Sequence, residues 1–106
     1  MNSINKNISI ILPTLNEREN LENLIPEFIS NLGDNNYENY EILVIDDNST
    51  DGTKEYIESL KDFNSKIKII VRKGNPSLPL SILAGIENSK YENVMWLDAD
   101  GSMPAS

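Results

Sequence analysis

The stretch Ile42-Leu43-Val44-Ile45-Asp46-Asp47 decides the fold of this chain. Its apolar part is a continuous run, which is typical of a strand that is buried on both faces. A strand covered on both faces belongs to a layered α/β sheet. The two carboxylates follow at once, and neighbouring side chains on extended backbone point to opposite sides. We therefore expect only one of Asp46 and Asp47 to face a ligand, while the other braces the turn.

Strand and helix patterns alternate on both sides of this stretch. Strand patterns are present at Ile8–Leu12, Ile42–Ile45, Ile67–Val71 and Val94–Leu97. Segments with helical spacing separate them, so the order is βαβαβαβ, which suits right-handed crossovers between parallel strands. The predicted fold class is α/β, a parallel sheet with flanking helices. We expect Met95 and Trp96, in the last strand, to lie in the core.

The helix patterns carry their own start signals. Asn16-x-x-Glu19 resembles a capping box for the first helix, and Pro26 predicts a kink or a restart within it. Ser77 is a suitable N-cap for the third helix. The residues expected to face the sheet from the third helix are Ile82, Leu83 and Ile86.

Composition excludes several classes of partner. The chain has 106 residues and a formal net charge of -8, with 17 acidic against 9 basic residues. Nucleic acid or an anionic membrane would require a basic patch, so neither is expected as a partner. The chain has no cysteine and no histidine, which excludes disulfides and zinc sites and leaves carboxylates as metal ligands. Neither a signal peptide nor a transmembrane run is present, and the lack of cysteine fits the cytoplasm.

Polar clusters follow three of the predicted strands, at 13–17, 46–47 and 98–100. In open parallel sheets, ligands bind beyond the carboxyl ends of the strands, where the strand order reverses. Asp98 and Asp100 are on the same side of an extended backbone, and a divalent cation with oxygen ligands relieves the repulsion between them. No glycine-rich dinucleotide or phosphate loop is present. If phosphates bind here, a cation held by Asp98 and Asp100 must offset their charge.

Each of these motifs also has a simpler interpretation. An Asp-x-Asp motif alone more often marks a strand that ends in turn-forming residues and binds no metal. The segment 47–53 is rich in helix-capping residues and alone more often makes a strand-to-helix turn. Glu17 is favoured in a first helical turn by the helix dipole, whatever its function. Arg72 and Lys73 are expected to be solvated, and we leave them out of the site.

Three ordered motifs resemble a known family. Leu12-Pro13-Thr14-Leu15-Asn16-Glu17, Val44 to Thr53 and Leu97-Asp98-Ala99-Asp100 occur in the order seen in family 2 glycosyltransferases of the GT-A fold. The likeness is strongest to the dolichol-phosphate or polyprenol-phosphate mannose synthase group, and it covers nearly the whole chain. It implies a Rossmann-like nucleotide-binding fold, a nucleotide-sugar donor such as GDP-mannose or a UDP-sugar, and a divalent cation, Mg or Mn.

The resemblance also implies roles for single residues. The donor site would comprise Pro13, Leu15, Glu17, Asp47, Asp98 and Ala99, and the metal site Asp98 and Asp100. In that arrangement the loop 13–17 contacts the nucleotide, Asp47 bonds the base, and Ala99 approaches the donor. No catalytic residue is assigned within this chain.

The chain departs from that family in two segments and in length. Leu15 stands where many relatives carry tyrosine, and the segment 75–81 replaces a Gly-Leu-Gly loop. Family members continue well past the Asp-x-Asp motif into the acceptor half. We therefore expect residues 1–106 to be the nucleotide-sugar-binding N-terminal part of a GT-A domain. The resemblance suggests a polyprenyl phosphate acceptor and a place at the cytoplasmic face of a membrane for the full-length enzyme. A free strand edge favours self-association.

Two other functions remain open. Asp98-Ala99-Asp100-Gly101-Ser102 also resembles the motif of haloacid-dehalogenase-type phosphatases, in which the first aspartate, here Asp98, is the nucleophile. That family places the motif after its first strand, whereas here it follows the fourth. The second alternative is a nucleotide-binding fragment without turnover.

Overall fold

Strands and helices alternate along the chain as predicted. The structure is a computed structural model, and it describes residues 7–34, 39–61 and 66–97. Its elements are β1 (Asn7–Thr14), α1 (Arg18–Asp34), β2 (Asn39–Asp46), α2 (Thr53–Lys61), β3 (Ile67–Val71), α3 (Leu78–Glu87) and β4 (Val94–Trp96).

The four strands form one parallel sheet in the order β3-β2-β1-β4. The chain builds β1, β2 and β3 in one direction and then crosses back to place β4 on the other side of β1. The strand order therefore reverses between β1 and β4, which is the position where such sheets bind ligands. The predicted α/β fold with a parallel sheet and flanking helices is confirmed.

The two faces of the sheet have cores of different size. Side chains of β1 and β2 alternate between the faces, as the strand period requires. One face packs against α1 and α2, and its buried side chains include Ile10, Leu12, Leu21, Ile25, Ile42, Val44 and Ile57. The other face packs against α3 through Ile11, Leu43 and Ile45.

The helix α3 lies close to the sheet on a face made of small residues. Ser81 and Gly85 are its buried positions, and a Cβ added at Gly85 would lie 2.5 Å from Cγ2 of Ile11. Leu83 and Ile86 are instead 48% and 51% exposed. The prediction that these two residues face the sheet is wrong, because close approach requires small side chains at the contact.

The strand β4 lies at the edge of the sheet and pairs with β1 over three residues. Met95 and Trp96 are 42% and 38% exposed. The prediction that they lie in the core is therefore wrong, because an edge strand is covered less than a central one. Self-association through this edge stays a prediction.

The helix α1 begins differently from the sequence-based expectation. Asn16 has a φ of 55°, and its side-chain oxygen accepts a bond from the Thr50 N–H at 2.8 Å. It therefore does not cap α1, which begins at Arg18 and whose first N–H donates to Asp51. The helix then continues without interruption through Pro26, so the expected restart does not occur.

Candidate functional site

A cavity of about 300 Å³ opens at the carboxyl ends of β1 and β2. It is lined by Pro13, Leu15, Glu17, Asp47, Pro76, Ser77, Leu78 and Ser81. The first four are residues that the sequence motifs single out, and the structure brings them together. The other four belong to the beginning of α3, which the motifs did not include. Four of the eight lining residues are apolar and four are polar or charged, and apolar walls with placed polar groups are typical of small-molecule sites.

Asp47 is the buried charge of this cavity, and its side chain is 8% exposed. Its Oδ1 accepts hydrogen bonds from the Ser81 hydroxyl at 3.0 Å and from Nη1 of Arg72. Its Oδ2 accepts a bond from the Ser77 N–H at 2.9 Å. Burying a carboxylate is costly unless hydrogen-bond donors of this kind replace the water it loses. Asp47 therefore fastens the beginning of α3 and the end of β3 to the end of β2.

Arg72 contacts the site through Asp47, although the sequence did not predict it as a site residue. Its side chain is only 19% exposed, and Nη1 also lies 3.4 Å from the Ser81 hydroxyl. The expectation that Arg72 is solvated is wrong. Val71 pairs with Asp46 across β3 and β2, so the next residue on each strand meets its counterpart. The strand register, once known, predicts the contact between Arg72 and Asp47.

Asp46 points the other way and braces the loops. It is 1% exposed. Its Oδ1 accepts bonds from the Thr14 hydroxyl at 2.7 Å and the Ser49 hydroxyl at 2.5 Å, and its Oδ2 accepts the Ser49 N–H at 2.8 Å. Of the two adjacent aspartates, Asp47 lines the cavity and Asp46 braces the turn, while the binding of a ligand at Asp47 stays a prediction.

The loop after β1 is held by the loop after β2. The Asn16 N–H donates to the Ser49 hydroxyl at 2.7 Å, and the Thr50 N–H donates back to the Asn16 side chain at 2.8 Å. The Arg18 N–H donates to Asp51 at 3.0 Å. Asparagine tolerates the left-handed backbone that Asn16 adopts better than most residues do. These bonds fix the segment that places residues 13–17 against the cavity.

Leu15 and Glu17 form the rim of the cavity on the β1 side. Leu15 is 42% exposed, which leaves its side chain available to a ligand. Glu17 is half-buried, and its carboxylate accepts a bond from the Asn20 amide at 2.8 Å. The rim therefore combines one apolar contact with one carboxylate.

Asp98, Ala99 and Asp100 lie outside the described residues. The last described residue before them is Leu97, which is buried and whose N–H donates to the Ile11 carbonyl at 3.0 Å. The pairing of β4 with β1 thus extends to the residue before Asp98. Within 7–34, 39–61 and 66–97, no group of three or more potential metal ligands is clustered. The assignment of a metal to Asp98 and Asp100 stays a prediction.

Comparisons with known proteins agree on one family. The family model described as "Glycosyl transferase family 2" matches residues 9–106. The dolichol-phosphate mannosyltransferase of Pyrococcus furiosus is 35% identical over 99 residues, which cover 92% of this chain and 26% of that protein. The chain spans 26% to 36% of the length of the curated relatives considered.

Solved structures agree on the fold. A mannosyltransferase from Pyrobaculum calidifontis, in complex with GDP-Man and Mn²⁺, has a TM-score of 0.69 at 24% identity and covers 92% of this chain and 28% of its own. S. aureus TarS 1–349 in complex with UDP-GlcNAc has a TM-score of 0.63 at 24% identity, covering 89% and 26%. These two likenesses establish the fold alone. The family match extends over nearly the whole sequence, and the chain belongs to glycosyl transferase family 2.

Proposed function

We propose that residues 1–106 form the donor-binding part of a glycosyltransferase that moves a sugar from a nucleoside diphosphate sugar to an acceptor. One observation carries this proposal. Pro13, Leu15, Glu17 and Asp47, which the family resemblance assigns to the donor, line a single cavity beside the reversal of strand order. In this proposal Asp47 bonds the base, and the loop after β1 contacts the nucleotide.

The diphosphate would be bound through a divalent cation. Asp98 and Asp100 would hold Mg or Mn, and Ala99 would approach the donor. The chain has a net charge of -8, so phosphates meet few compensating side chains. A cation held there would supply electrostatic stabilisation for the negative charge of the leaving diphosphate. Leu97, the residue before Asp98, is bonded to β1 through its N–H.

A polyprenyl phosphate is the proposed acceptor, by analogy with the relatives named dolichol-phosphate mannosyltransferase. A phosphate acceptor is already anionic and attacks the sugar without a general base, so the proposal requires none from this chain. We place the intact enzyme in the cytoplasm, at the face of a membrane. In the described ranges, each helix is too short or too polar to span a bilayer.

Thermal unfolding with nucleotide sugars tests the proposal. We expect UDP- or GDP-sugars to raise the melting temperature by several degrees with Mn²⁺ and by less without it, because binding to the native state stabilises it. No rise with any nucleotide sugar at millimolar concentration, in a folded sample, would contradict the donor site.

A double variant tests the metal ligands in the same assay. Asp98→Asn with Asp100→Asn is expected to abolish the Mn²⁺ dependence of the shift. The matched control changes two exposed carboxylates on α2 and α3, Glu58→Gln with Glu87→Gln, and is expected to retain that dependence. Equal behaviour of the two double variants would contradict the assignment of Asp98 and Asp100.

A further inference from the structure

The hydrogen bonds at Asp47 leave little room for a ligand. A carboxylate offers about four acceptor positions, two on each oxygen. Both positions on Oδ1 are taken, by Arg72 and by the Ser81 hydroxyl. One position on Oδ2 is taken by the Ser77 N–H. One acceptor position is therefore left, on Oδ2.

We propose that this site selects uracil nucleotides over guanine nucleotides. The inference rests on the proposed function, in which Asp47 bonds the base. Uracil presents a single N–H, at N3, between two carbonyl groups. Guanine presents two neighbouring donors, N1–H and the 2-amino group, which pair with both oxygens of a free carboxylate. With one position left, Asp47 satisfies uracil and leaves a guanine donor unpaired.

The groups that occupy the acceptor positions of Asp47 are also held in place by packing, so a ligand cannot easily displace them. Ser81 is 1% exposed, and it is fixed by α3, which Gly85 seats directly on Ile11. The side chain of Arg72 is 19% exposed, so breaking its contact with Asp47 would leave a partly buried charge without its partner. If guanine displaced Ser81 or Arg72, the new hydrogen bond from guanine to Asp47 would be offset by the loss of the bond from the displaced group.

Nucleoside diphosphates test the selection directly, because their ribose and phosphates are identical. Dissociation constants of UDP and GDP are measured by calorimetric titration of the full chain with Mn²⁺. We expect UDP to bind at least about fivefold more tightly, since an unpaired buried donor costs about 1 kcal/mol or more. Equal or tighter binding of GDP would overturn the selection while supporting the nucleotide site. Binding of neither would overturn both the selection and the proposed function.

Inosine diphosphate separates hydrogen bonding from ring size. It is a purine of the same shape as GDP but lacks the 2-amino group, so it presents a single N–H. We expect it to bind at least about threefold more tightly than GDP, recovering most of the cost of the unpaired donor. Inosine diphosphate that binds as weakly as GDP would overturn the account, because ring size would then be the cause.

A variant of Ser81 tests the same count of acceptors from the protein side. Ser81→Ala frees one position on Oδ1, so GDP affinity is expected to rise and the ratio of the two dissociation constants to fall towards unity. Ser59→Ala removes an exposed hydroxyl on α2 and is the matched control, with an unchanged ratio. A folded Ser81→Ala protein that weakens for both nucleotides alike would assign Ser81 a structural role only and overturn the inference.

Discussion

The two ends of β2 carry buried carboxylates with different surroundings. Glu41, near the amino end, is 2% exposed, and Asp47, just beyond the carboxyl end, is 8% exposed. Cavities of similar size open beside the two carboxylates, about 250 Å³ at Glu41 and about 300 Å³ at Asp47. Burial and cavity volume therefore do not separate a binding site from a structural contact in this protein.

The carboxylate of Glu41 is surrounded by hydrogen-bond donors from within the protein. Its Oε2 accepts bonds from the Ser9 hydroxyl at 2.6 Å and from the Lys90 N–H, and its Oε1 pairs with Lys68 at 3.2 Å. Ser9 in turn accepts the Tyr91 N–H at 3.1 Å. Burial by itself would raise the pKa of Glu41, but the bonds from Ser9, Lys90 and Lys68 outweigh it and hold the pKa below its usual value. Glu41 thus fastens three strands and the segment before β4.

Asp47 differs in its position and in what remains open. It stands at the carboxyl ends of β1 and β2, one strand from the reversal of strand order, in a cavity lined by Pro13, Leu15 and Leu78, and it retains one acceptor position. The comparison teaches that placement in the topology distinguishes the two carboxylates. We therefore expect changes at Glu41 to act on stability and changes at Asp47 to act on binding.

The largest expected effect on stability is at Glu41. Glu41→Ala leaves the buried Ser9 hydroxyl and the Lys90 N–H without their acceptor, and we expect it to lower the free energy of unfolding by about 2 to 4 kcal/mol. Urea denaturation measures the change, with Glu58→Ala, an exposed carboxylate on α2, as the control near zero. A loss below about 0.5 kcal/mol, as at ordinary surface sites, would remove Glu41 from its structural role.

Asp47→Asn is expected to weaken UDP binding as well as the fold, whereas Glu41→Gln is expected to weaken the fold alone. The amide loses the charge that faces Arg72 and replaces one acceptor by a donor. We expect the dissociation constant for UDP to rise about tenfold, for a stability loss of about 1 to 2 kcal/mol. Calorimetric titration and urea denaturation give the two values. Glu41→Gln is the matched variant, expected to lose stability at unchanged UDP affinity, and the reverse pattern would contradict the comparison.

The smallest expected effect is the pH dependence of stability. Because the folded-state pKa of Glu41 lies below its ordinary value of 4.5, its contribution to stability is present above pH 4.5 and is lost as the pH falls through the folded pKa. In that acid range we expect Glu41→Gln to lose stability less steeply than the unaltered chain, by up to about 1.4 kcal/mol per pH unit. Urea denaturation of both proteins from about pH 3, where carboxylates titrate, to about pH 7 tests this difference in slope. Parallel curves would contradict the assignment.

Local patterns predicted the strands and the orientation of the aspartates. Continuous apolar runs such as Ile42–Ile45 indicate buried strands because both faces are covered, and the period of two separates Asp46 from Asp47. The presence of Ser77 at the start of α3 also follows from local preference, since its side chain accepts the Leu80 N–H at 3.2 Å. Such features depend on residues close in the sequence.

Long-range packing explains what the patterns missed. The contact of Arg72 with Asp47 requires the neighbouring positions of β2 and β3, and the burial of Ser81 requires the close approach of α3 to Ile11. The left-handed turn at Asn16 depends on Thr50, a partner 34 residues away. Hydrophobic periodicity takes account of apolar residues only. It therefore assigned Leu83 and Ile86 to the sheet-facing side of α3, which the small residues Ser81 and Gly85 occupy.

The central claim is that the carboxyl end of the sheet, and not the amino end, binds the nucleotide. Titration of the ¹⁵N-labelled chain with UDP and Mg²⁺, followed by amide chemical shifts, tests it residue by residue. We expect the largest changes at Leu15, Asp47 and Ser77, with Glu41 and Tyr91 unchanged. Changes centred on Glu41 and Tyr91, or none at all at millimolar UDP, would contradict the account.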